Sequence, residues 1–141
     1  MAGVTVRELP LAETRALRRA VLRPRETIED MAAHEPLGAY AVGAFEDGTL
    51  ISVGLIGREG GEHAWRVRGM ATLERERGRG AGRAVLDALV AHALAQGAAR
   101  VWCNARVGAV PFYARAGFST ISEEFDIPGI GPHFVMERRL A

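Results

Sequence analysis

The chain has 141 residues, 48% of them hydrophobic and 25% charged, which suits one globular domain over 1–141 with one core. A net charge of +1 argues against a general nucleic-acid binder. No apolar run reaches the roughly 18 residues of a membrane span, the N-terminal "MAGVTVRELP" lacks the apolar heart of a secretory signal, and a single cysteine, Cys103, excludes an internal disulfide and fits a reducing cytoplasm.

"VTVREL" (4–9) alternates and predicts a first strand. Pro10 opens "PLAETRALRRAVL", whose leucines at 11, 17 and 22 predict an amphipathic helix with proline at its start. A second short helix is expected over 26–33, ended before Pro36. Two apolar runs flank "EDGT", where Asp-Gly marks a hairpin turn. "HAWRVRGMATL" (63–73) predicts a long strand with Trp65, Val67 and Gly69 on one face and Arg66 and Arg68 on the other. "GRAVLDALVAHALAQG" places Val85, Leu86, Leu89, Val90 and Leu94 at helical spacing, and Gly97 stops it. "AARVWCNA" (98–105) predicts a short buried strand and "AVPFYARAGF" a helix over about 108–116; "FSTISEEFDI" and "PHFVMERRL" are strands joined by "PGIG". The order β-α-α-β-β-β-α-β-α-β-β gives an α+β class: a mixed sheet with helices on both faces.

The charge is unevenly placed. All 18 basic residues are arginine, and residues 66–83 hold six of them against Glu74 and Glu76, a local +4 on an otherwise slightly acidic chain. That points to a local anionic ligand. Within the stretch lies "RGRGAG" (77–82), between a strand and a helix. A Walker loop is excluded because it needs lysine, and Gly78, Gly80 and Gly82 miss the spacing of a dinucleotide fingerprint. What remains suits a pyrophosphate. First-turn amides have no internal partner, the helix dipole adds positive charge, and glycine lets an anion approach. Arg77, Arg79 and Arg83 can add charge-assisted bonds, while Glu74 and Glu76 face water.

Arg77-Gly78-Arg79-Gly80-Ala81-Gly82, preceded by "GMATL" and followed by an apolar helix, resembles the acetyl-coenzyme A signature of the GNAT superfamily of N-acetyltransferases, (Gln/Arg)-x-x-Gly-x-(Gly/Ala). "AVPFYARAGF" (109–118) resembles the family's A-x-x-F-Y-x-x-x-G-F box, and the element order matches over nearly the whole chain. The resemblance implies a mostly antiparallel sheet of six to seven strands, with the fourth and fifth splayed apart around the cofactor. It implies transfer of acetyl from acetyl-coenzyme A directly to a primary amine of a small molecule or peptide. Neither an acyl-enzyme nor a metal is needed, and His34, His63, His92 and His133 show no metal-ligand spacing. Homodimers are common in such folds; no membrane or nucleic-acid partner is implied.

By the same resemblance, Met70, Ala71 and Thr72 act through backbone groups, the Met70 N–H holding the thioester carbonyl and Thr72 the pantetheine amide. Gly69 suits a bulge that re-aims the strand, or a packing position under a neighbouring side chain. Arg77, Gly78, Arg79, Gly80, Ala81, Gly82 and Arg83 form the phosphate seat. Tyr113 falls on the tyrosine that protonates the leaving thiolate, or is a core aromatic beside Phe112. The chain departs from the family twice. Arg66 stands where some members place a glutamate base, leaving His133, Glu124, Glu62 or a water relay as candidates. Arg106 stands where many relatives carry asparagine, so Asn104 is the substitute for the pantetheine arm. Cys103, in an apolar strand with Val101 and Trp102, reads as a buried inert thiol. The missing glutamate also keeps open a non-catalytic acyl-coenzyme A sensor, and the glycine loop a nucleotide binder.

Overall fold

The structure, a computed structural model, describes residues 4–33 and 35–140; His34, one of the four histidines above, lies outside them. In chain order the elements are β1 (Val4–Leu9), α1 (Arg15–Leu22), α2 (Ile28–Ala33), β2 (Tyr40–Glu46), β3 (Thr49–Arg58), β4 (Ala64–Thr72), α3 (Ala81–Ala95), β5 (Arg100–Arg106), α4 (Val110–Arg115), β6 (Ser119–Thr120), β7 (Phe125–Ile127) and β8 (Gly131–Arg139). One sheet runs in the order β1-β2-β3-β4-β5-β8-β6, with β7 also on β8. Every pairing is antiparallel except β4 with β5. No helix among the described residues is long and apolar enough to cross a membrane.

Local chemistry explains most boundaries. Asp47 (φ 49°) and Gly48 (φ 80°) form the two-residue turn between β2 and β3, the primed geometry that Asp-Gly favours. Thr27 starts α2: its Oγ1 accepts the Asp30 N–H, and the Asp30 carboxylate accepts the Thr27 N–H, both at 3.0 Å. The proline-led helix begins as a single 3-10 turn, Leu11–Thr14, before α1.

The sheet has eight strands, not the six to seven expected, because "FSTISEEFDI" divides in two. Ile121 N–H still donates to the Val135 carbonyl at 2.9 Å, but the Val135 N–H is taken by Ser122 Oγ at 2.9 Å. A side chain thus replaces the backbone acceptor, and pairing resumes only at Phe125 opposite His133.

Helices cover both faces. On one, α3 buries Val85, Leu86, Leu89, Val90 and Ala93 against β2, β3 and β4. Leu94, expected on that stripe, is 55% exposed; Ala93 occupies the core position one residue earlier. Leu86 and Leu89, at 0% exposure, each supply about 1.5–3 kcal/mol of burial. On the other face, α1 lays Leu17 over Leu9, Val53 and Ala71.

Candidate active site

The β4–β5 ladder covers only Ala64↔Arg100, Trp65↔Val101 and Arg66↔Trp102. Beyond it the strands diverge, and β5 continues on its other edge along β8 as far as Arg106 opposite His133. A bulge re-aims β4 within the divergence: the register with β3 shifts between Val53↔Ala71 and Leu55↔Arg68, so Gly54 faces two residues, Gly69 and Met70. The extra residue reverses side-chain parity. Trp65 and Val67 pack with the α3-side core, as expected, but Ala71 packs beneath α1 and Met70 joins the α3 side. Gly69 serves both readings proposed for it. Its φ of +62° is left-handed, and a Cβ there would sit 2.8 Å from Arg18 Nε.

Gly54 was missed from the sequence. A Cβ on it would lie 2.4 Å from Met70 Sδ and 3.0 Å from Leu89, so its bareness is what lets Met70 tuck under α3. An isolated glycine within "ISVGLIG" was the available signal.

At the end of β4 the "RGRGAG" stretch divides into three roles. Gly78 and Gly80 have φ of +80° and +88° and open space around them, so backbone conformation is their requirement. Gly80 caps α3 without any side-chain hydrogen bond, leaving the first-turn amides without a side-chain acceptor. Gly82 is a packing glycine: a Cβ there would lie 3.1 Å from Thr72 Oγ1 and 3.6 Å from the Phe112 ring, so its absence seats α3 against β4 and α4.

The arginines are not equivalent. Arg79 is held by Glu76 and by Glu46 at 2.6 Å, and Arg83 by Asp87 at 2.9 Å and the Arg115 carbonyl at 3.1 Å. Arg77 donates only to the Thr72 carbonyl at 3.3 Å, and among the described residues no carboxylate pairs with it. Glu76 corrects the expectation that both acids face water. It is half-buried and carries Arg79, whereas Glu74 is exposed.

The divergence opens a cavity of about 720 Å³ that brings together Met70, Asn104, Tyr113 and His133. Ala71 and Thr72 do not line it. Ala71 is in the core, and the Thr72 hydroxyl is 2.8 Å from Ser52 Oγ, so neither offers a side chain to it. Tyr113 is 7% exposed, edge-on to Phe112 and Phe118. Burial, together with the neighbouring Cys103, pushes its hydroxyl up, so the phenol stays protonated at neutral pH. Burial pushes the Cys103 thiol up to about 12, in keeping with an inert thiol.

His133 is 4% exposed, with Nδ1 2.7 Å from the Gly131 carbonyl oxygen. A carbonyl only accepts, so in the neutral ring Nδ1 carries the hydrogen and Nε2 has the lone pair. Glu62 and Glu124 are exposed and lie outside the cavity lining. Arg66 donates to Glu59 at 2.9 Å and Arg68 does so at 2.8 Å. Burial opposes the charge on Glu59, but the two guanidinium groups outweigh it and hold the carboxyl below its usual range.

Four buried side-chain polar atoms lack a hydrogen-bond partner among the described residues: Nε of Arg18, Arg66 and Arg68, and Oδ1 of Asn104. All four residues line this cavity, so the unmet polar groups concentrate where a ligand would meet them.

Comparison with known proteins matches residues 13–140 to the model of the acetyltransferase (GNAT) domain. The uncharacterized N-acetyltransferase YitI of Bacillus subtilis (strain 168) is 38% identical over 143 residues, covering 96% of this chain and 95% of that protein. Two crystal structures share the fold at low identity. An aminoglycoside 6'-N-acetyltransferase complexed with coenzyme A superposes with a TM-score of 0.81 at 11% identity over 97% of each chain. The ribosomal-protein-S18-alanine N-acetyltransferase from Escherichia coli gives 0.79 at 14% identity, over 98% of this chain and 94% of that one.

Proposed function

This chain belongs to the GNAT acetyltransferase family, and from that premise we propose that it transfers an acetyl group from acetyl-coenzyme A directly to a primary amine. The observation that carries the reading is the meeting, in one cavity at the β4–β5 divergence, of a protonated Tyr113 hydroxyl, a His133 with its Nε2 lone pair free, and the unpartnered Asn104 Oδ1.

The residues present fit coenzyme A. Asn104 Oδ1 is a buried acceptor lacking a donor, which a pantetheine amide N–H would satisfy. The uncapped amides at the start of α3, with Arg77 beside them, suit a pyrophosphate, and Gly78 and Gly80 leave the approach open. When bound, acetyl-coenzyme A supplies an acyl group already activated as a thioester. The chain's own residues orient and exchange protons around it. The Met70 N–H, re-aimed by the bulge, is the donor toward the acyl oxygen. Main chain at Ala71 and Thr72 holds the pantetheine arm. Tyr113 Oη keeps a proton ready for the departing sulfur. His133 Nε2 takes the proton that the acceptor amine must lose before it attacks.

His133→Gln is the test of the base. With acetyl-coenzyme A and a responsive amine, thiol release should fall in kcat/KM by roughly 10²–10³-fold. Added imidazole should restore part of the rate in His133→Gly. Undiminished thiol release in both variants would remove His133 from the proton path and leave solvent as the base.

A further inference from the structure

The cation census of the cavity leaves one guanidinium without a counter-charge. Arg18 is matched by Glu35 at 2.5 Å, Arg23 by Glu26 at 2.9 Å, and Arg66 and Arg68 by Glu59. Arg106 has no carboxylate partner among the described residues; its Nη2 donates only to the Leu22 carbonyl at 3.2 Å. Burial and the facing Arg23 both work against its charge. A second cavity of about 390 Å³ adjoins the first, and the two share Arg23, Glu26, Arg106, Pro128 and Ile130 in their linings. The unpartnered Nε atoms of Arg18, Arg66 and Arg68 add donors that lack acceptors. Five guanidinium groups line the main cavity against three carboxylates, Glu26, Asp30 and Glu35, so this side of the site carries excess positive charge and has donors short of acceptor oxygens.

The position of Arg106 says which ligand it serves. Arg106 lies directly opposite His133 in the β5–β8 ladder. Opposed residues of antiparallel strands project to the same face, with Cβ atoms about 4.5–5.5 Å apart. An anion held by Arg106 therefore sits beside the group that would receive the amine proton, away from the α3 amides at the outer end of β4.

We propose that the acceptor is a small primary amine that also carries an oxyanion, a carboxylate or a phosphate a few bonds from the nitrogen, and that Arg106, backed by Arg23, is the oxyanion's docking point. Planar guanidinium donors suit either oxyanion. Many members of the family it resembles carry asparagine at this position, where arginine instead supplies a cation. This inference rests on the acyl-transfer reading and specifies its acceptor.

The test measures binding separately from turnover. The full-length protein, saturated with coenzyme A, is titrated calorimetrically with free L-amino acids against their carboxamides, and with O-phosphoethanolamine against ethanolamine. We expect at least one charged probe to bind at least tenfold tighter than its neutral twin. The preference should weaken with added salt and vanish in Arg106→Gln, while coenzyme A affinity stays within about twofold of the unmutated protein. Arg23→Gln should reduce the preference in part. The carboxylate and phosphate arms distinguish the two oxyanions. Equal binding of the charged and neutral probes, binding of neither, or a preference that survives Arg106→Gln overturns the proposal. So does loss of coenzyme A affinity in Arg106→Gln, which would move Arg106 into the cofactor slot. Acetylation of neutral amines at matching rates overturns it while leaving acyl transfer intact. Charged-probe binding without any transfer keeps Arg106 as an oxyanion site but sinks the transfer reading, and with it the claim that the bound amine is an acceptor.

Discussion

Replacing Tyr113 by phenylalanine is expected to lower kcat by roughly 10²–10³-fold with little change in coenzyme A affinity. The substitution keeps the ring, and with it the edge-on contacts at 5.2 Å to Phe112 and 5.4 Å to Phe118, so the loss isolates the hydroxyl. The hydroxyl suits an acid because it is buried and its ionisation is pushed up, so the proton stays in place across neutral pH while a departing thiolate needs one. Stopped assays of thiol release, paired with calorimetric titration of coenzyme A, separate the two effects. A variant with full turnover would take the acid role from Tyr113 and leave it as a packing aromatic.

The second large effect is on stability. Glu35→Gln should cost about 3–5 kcal/mol, because it leaves Arg18, 8% exposed, as a buried cation without its carboxylate. Glu35 binds both Arg15, at 2.8 Å, and Arg18, and its side chain is only 4% exposed. Burial opposes the Glu35 charge, but hydrogen bonds from Arg15 and Arg18 outweigh it and hold the carboxyl below its usual range. A depressed carboxyl contributes stability that is full above the unfolded pKa of about 4.3 and is lost as pH falls through the folded value. The acid limb of the stability curve should flatten in the variant, and Tm at neutral pH should drop by roughly 10–20 °C. Glu26→Gln is the control. Its ion pair with Arg23 is 41% and 29% exposed, so its loss should cost about 0–1 kcal/mol. Equal Tm values for the two variants would show that the buried cluster holds nothing together.

The Glu35 cluster also marks the limit of sequence reading. "RGRGAG" is legible because glycine conformation and a helix start act within a few residues, whereas "PFYARAGF" points to a site only through its resemblance to a family box. The Asp47-Gly48 turn was readable for the same reason. Glu35, by contrast, meets Arg15 and Arg18 across 20 and 17 residues, and Arg79 meets Glu46 across 33. No period in the chain announces the Glu35 and Glu46 pairs; Glu76 meets Arg79 only three residues on, and it is its half-burial that local reading does not show. The bulge at Gly69 was anticipated, but its consequence was not. One extra residue sends Ala71 to the α1 face, which strict alternation does not show. The split of 119–127 into β6 and β7 depends on Ser122 meeting Val135 on another strand, again beyond any local rule. Arg106 was seen only as a departure from a family pattern; its place opposite His133 required the β5–β8 register.

The β4–β5 divergence and the start of α3 are proposed to form an acyl-transfer site that passes acetyl directly to an amine. The most direct measurement mixes the protein with isotopically labelled acetyl-coenzyme A and an amine panel, then reads label on amine and protein by mass spectrometry. Label should appear on an amine in step with released coenzyme A, with none retained on the protein. Tight coenzyme A binding with no label on any amine would make the chain a sensor rather than a transferase, and acetyl trapped on the protein in the absence of amine would contradict direct transfer.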